Sequence, residues 1–71
     1  MFVTQLRQAS AQVRALDVWR EAADLVWRRW NVYLAAEDEA RTFAFASYIA
    51  ALDAEEAAAA EVAALAGRVA A

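Results

Sequence analysis

Five rings with a polar edge, Trp19, Trp27, Trp30, Tyr33 and Tyr48, could line a pocket for an aromatic or cationic ligand. They fall at helical spacing, so core and interface packing is their expected use. Arg28 and Arg29, with Arg20 one face away, could contact phosphate. The chain carries a net charge of −3 and no basic stripe, so nucleic-acid binding is not expected. The acids Glu37, Asp38 and Glu39, and later Asp53, Glu55 and Glu56, offer oxygen ligands for a hard cation. Solvated and helix-capping carboxylates are the simpler reading.

Histidine and cysteine are both absent, which excludes ordinary zinc sites and the Glu-x-x-His element of di-iron bundles. Catalysis needs a tuned acid, base or nucleophile. The chain has no His, Lys or Cys, and its two serines, Ser10 and Ser47, stand in no nucleophile motif. No catalytic residue, cofactor or metal is therefore expected, and the protein does not read as an enzyme.

These residues need elements to position them, and length limits the choice. A chain of 71 residues has room for one domain. Folding alone, such a chain buries only about 60% of its unfolded surface. Without disulfides or metals, oligomerisation is the remaining source of stability. The composition is helical: 22 alanines, one glycine and no proline. The longest stretch free of charge, Thr42 to Leu52, has eleven residues, whereas a membrane span needs about 20. "MFVTQLRQ" lacks the basic-then-apolar layout of a signal peptide. The second half is too acidic for a surface-seeking amphipathic helix. A cytoplasmic protein without membrane contact is expected.

Two helical patterns follow one another. In the first half, apolar or small residues recur at Leu6, Ala9, Val13, Leu16, Trp19, Ala23, Val26, Trp30 and Tyr33, in steps of three and four. Between Leu16 and Leu34 the polar residues occupy an arc of only about 100°, with Arg29 the main intruder. The apolar arc is about twice as wide as one neighbouring helix requires. "LVWRRWNVYL", residues 25–34, is the densest part. In the second half, Phe45, Tyr48, Ile49 and Leu52 form a stripe that continues through Ala59 and Ala63 and drifts toward Val62, Leu65 and Val69. Gly67 reads as a stop. The apolar pattern lapses over "AAEDEART", residues 35–42, where Asp38 and Thr42 could serve as N-caps.

The expected fold is all-α: a two-helix antiparallel hairpin in a single domain over residues 1–71, dimerising into a four-helix bundle. Its first helix covers about 4–36, its bend about 37–42 and its second helix about 43–67. One long coiled-coil helix and a three-helix arrangement are the alternatives. Reversal near residue 40 places Trp30 opposite Ile49, Trp27 opposite Leu52 and Asp53, and Trp19 opposite the Ala57–Ala60 run. It also brings Arg28 or Arg29 near Asp53 as an ion pair. The core and interface set is Leu16, Trp19, Ala23, Val26, Trp27, Trp30, Tyr33, Leu34, Phe45, Tyr48, Ile49 and Leu52.

A hairpin covers one side of its first helix. The expected function is therefore a non-enzymatic protein–protein interaction or assembly module, a small helical homodimer whose aromatic face could also receive a second protein. An antitoxin-like or transcription-associated regulatory partner is one alternative. A small-ligand binder at a dimer-centre cavity is the other.

Overall fold

The computed structural model describes residues 2–70, with side chains described through Arg68. Val69, placed on the second stripe by periodicity, lies outside the described side chains. Two helices account for the fold: α1, Phe2–Ala35, of 34 residues, and α2, Asp38–Ala70, of 33 residues. At 1.5 Å per residue each is about 50 Å long, and the hairpin measures 57 × 15 × 12 Å between Cα atoms. No proline interrupts either helix, and alanine favours both along their length.

The bend is shorter and earlier than its composition implies. Among the described residues only Ala36 and Glu37 are outside a helix, so the expected bend over 37–42 is corrected to two residues. The Ala36 N–H donates to the Tyr33 carbonyl at 3.2 Å, tightening the last turn of α1. The Ala40 N–H donates to the Glu37 carbonyl at 2.9 Å and opens α2. Glu37 therefore stands where Asp38 or Thr42 was expected as the cap, and both of those residues are helical. The acidic run is the first turn of α2, where Asp38 and Glu39 complement the positive end of the helix dipole. Arg41 reaches back across the bend, its Nη2 donating to the Ala36 carbonyl at 3.4 Å.

Gly67 does not stop the second helix. It lies inside α2 with an ordinary helical backbone. A glycine ends a helix when the chain needs the left-handed conformation, and here an alanine-rich sequence continues on both sides.

Cross-helix contacts bracket the register. Trp19 Nε1 donates to Glu55 Oε2 at 2.6 Å, so these two numbers add to 74, short of the expected Ala57–Ala60 run. Trp30 with Tyr48 and Tyr33 with Phe45 add to 78, close to the expected 80, and Trp30 meets Tyr48, the neighbour of Ile49. Arg28, Arg29 and Asp53 are all exposed, and the expected ion pair does not form. Among the described residues the ion pair is Arg20–Asp17, one turn apart on α1 at 3.6 Å. Both side chains are largely solvated, so it contributes on the order of 0–1 kcal/mol.

Candidate interaction surface

Contact between the helices follows a heptad-like spacing on each. Along α1 the half-buried positions Leu16, Trp19, Ala23, Val26, Trp30 and Tyr33 alternate steps of three and four. Along α2 the matching line is Ala44, Tyr48, Ala51, Glu55, Ala58, Val62 and Leu65. Among the described residues the buried ones are alanines alone: Ala15, Ala44 and Ala51, the last two only 4% exposed. Alanines on one helix let the bulky residues of the other approach closely. No large side chain is fully buried among the described residues.

Four rings close the end of the hairpin beside the bend. Trp30 stacks at a tilt on Tyr48, ring centres 5.0 Å apart, and on Tyr33 at 5.4 Å. Phe45 lies 5.4 Å from Tyr33 and 6.3 Å from Tyr48. Tilted pairs at these separations add about 0.5–1.5 kcal/mol each beyond burial.

The structure brings together most, not all, of the residues singled out in the sequence. Leu16, Trp19, Ala23, Val26, Trp30, Tyr33, Tyr48 and Leu52 are half-buried along the contact. Trp27, Leu34, Phe45 and Ile49 are exposed, Trp27 by 67%. Trp27 stands seven residues from Leu34 and fourteen from Val13, on a line turned outward from the contact.

Two apolar faces result. One carries the line Leu6, Val13, Arg20, Trp27 and Leu34 on α1, with Phe45, Ile49, Leu52 and Ala59 on α2. Helical periodicity sets these positions opposite two open grooves, and shallower troughs edged by Arg7 and Arg14 run beside Leu6 and Val13 on this face. Those grooves form the other face. The first runs between Val18 and Leu65 and is edged by Arg14, Glu61 and Arg68. The second, beside the bend, lies among Val32, Ala36, Phe43 and Ser47 and is edged by Arg29. Both are open troughs rather than enclosed cavities.

Sequence reasoning took Glu55 for a solvated acid and passed over Phe43. Glu55 interrupts an apolar stripe by composition, yet it sits seven residues from both Tyr48 and Val62, the spacing of an inward position. Phe43, 76% exposed, lies on the groove face, away from the stripe. Among the described residues no group of three or more acids converges as a metal site, and no helix is long and apolar enough to cross a membrane.

Comparison with known proteins leaves this geometry to speak for itself: no family model, no curated protein and no solved structure matches the chain.

Proposed function

We propose that this chain is a non-enzymatic assembly module that works through protein contacts, its simplest form a homodimer closing into a four-helix bundle in the cytoplasm. One observation carries the reading. Among the described residues the hairpin buries three alanines, while Trp27, Val13, Val18, Val32, Leu34, Phe43 and Phe45 all stand exposed. Covering one large apolar side chain contributes about 1.5–3 kcal/mol, and contiguous exposed patches of this kind mark interaction surfaces.

Total area supports the same reading. The chain exposes 5511 Å², whereas a compact monomer of its 7.8 kDa mass exposes about 4,400 Å². The excess, about 1,100 Å², exceeds the roughly 800 Å² that each partner contributes to a standard interface.

Sedimentation equilibrium at micromolar concentration tests the proposal. The expected particle has a multiple of the 7.8 kDa chain mass. A folded species at the single-chain mass, with tryptophan emission typical of water-exposed rings, would overturn it.

A further inference from the structure

We infer that the bend is a hinge: the chain opens at Ala36 and Glu37 into one continuous helix, and two opened copies pair antiparallel, each α1 lying on the other copy's α2. The exchange needs no four-helix bundle and leaves the Trp27 face as it is, so it stands apart from the assembly reading.

No residue of the bend forces the chain to turn. Helices commonly end at a glycine in the left-handed conformation, with proline close behind. The chain has no proline, and its one glycine, Gly67, is far from the bend. Among the described residues none has a positive φ. Helices commonly start at Ser, Thr, Asp or Asn, and Glu37 holds that place. Ala35, Ala36 and Glu37 are all good helix formers. One exposed hydrogen bond, from Arg41 to the Ala36 carbonyl at 3.4 Å, is the side-chain brace across the turn among the described residues. Opening also gives the carbonyls at the end of α1 and the N–H groups at the start of α2 their ordinary helical partners.

The contact line carries on through the bend. On α1 it ends at Trp30 and Tyr33, and on α2 it begins at Ala44 and Tyr48. Glu37 and Ala40 join the two, so steps of three and four run unbroken from Leu16 to Leu65. The one irregularity is a repeated step of four at Ala40, Ala44 and Tyr48, which locally unwinds a supercoil without ending it. A hairpin sets no such condition on its two helices, whereas a continuous helix in an antiparallel pair requires it.

Symmetry preserves the contacts. Facing numbers add to 74 at Trp19–Glu55 and to 78 at Trp30–Tyr48 and Tyr33–Phe45. The same pairs form between two opened chains, with the twofold axis crossing near residue 38. The two states therefore differ at the bend and in concentration. Closing a short connection has an effective concentration on the order of millimolar, so exchange competes as the chain approaches that level.

Charge opposes opening. Glu37, Asp38 and Glu39 of both copies gather at the axis, with Arg41 the basic residue in the same run. Salt screens that repulsion.

Arg7→Cys with Arg68→Cys supplies two label sites, since the protein has no cysteine of its own. Both residues are exposed and line one trough across the open end of the hairpin. Spin labels there lie about 10–20 Å apart in the hairpin, one to two helix diameters, and about 90 Å apart in one opened chain. The doubly labelled chain is mixed in urea with about tenfold excess of unlabelled chain and refolded, with helicity checked by circular dichroism. At about 1 mM total chain the short distance should fall to less than half its amplitude, and at about 1 μM it should persist in full. Full amplitude at both concentrations would overturn the inference, whatever mass the particle has. Asp38→Pro suits the first turn of α2 and breaks a continuous helix, so it should keep the short distance at both concentrations. Loss of the short distance in that variant would also overturn the hinge. Glu37→Ala removes a charge from each copy at the axis and should lower the concentration of half exchange about tenfold. No change, or a rise, would contradict the inference.

Discussion

The two helices solve opposite problems. Along its contact line α1 presents Leu16, Trp19, Val26, Trp30 and Tyr33, whereas α2 alternates Ala44, Ala51 and Ala58 with Tyr48, Glu55, Val62 and Leu65 and turns Phe43 and Ile49 outward. Large residues on one helix need small ones on the other, because two bulky lines cannot reach native packing density at close approach. The smaller helix surface therefore decides which face it shows. Its displaced aromatic and aliphatic side chains become the outer surface, which is how a hairpin with well-fitted helices still has so much left to cover.

Breaking the bulky side of this arrangement should have the largest effect. Trp30→Ala removes the ring that contacts both Tyr33 and Tyr48 and should cost about 3–5 kcal/mol, read as lost helical circular dichroism. A domain this small does not survive such a loss. Trp27→Ala sharpens the contrast, because that ring touches water in the single chain. It should leave helicity at high protein concentration nearly intact while weakening association.

Breaking the small side should cost less. Ala51→Leu forces three extra carbon atoms into a site that is 4% exposed and should cost about 1–3 kcal/mol by overpacking, measured as a lowered urea midpoint. An unchanged midpoint would mean the helices can separate freely there, contrary to the alanine argument.

The smallest expected change lies at the end of α2. A Cβ built on Gly67 meets nothing within 4 Å, and its backbone is helical. Gly67→Ala should stabilise the helix by about 0.5–1 kcal/mol, visible as a small rise in the unfolding midpoint.

Much of this was legible in the residues themselves, and the part that was not has a physical cause. Steps of three and four give the α1 contact line from Leu16 to Tyr33, whereas Leu6, Ala9 and Val13 on the same pattern are exposed. In α2 the two properties part company. Hydropathy points to Ile49, which is exposed, while the buried positions are Ala44 and Ala51, and no scale that ranks side chains by size can see that the partner has already filled the space. The bend misled for a different reason. "EDEAR" has the polarity of a loop and equally that of a helical first turn, where acids are favoured by the dipole. The bend is Ala36 and Glu37, and Asp53 forms no ion pair with Arg28 or Arg29.

Thermal unfolding across a hundredfold range of protein concentration tests the central claim most directly. A hairpin that depends on a second chain must melt at a higher temperature when concentrated, because association is linked to folding by mass action. The account predicts a midpoint that climbs steadily with concentration. A sharp, cooperative transition at one fixed temperature throughout the range would contradict it.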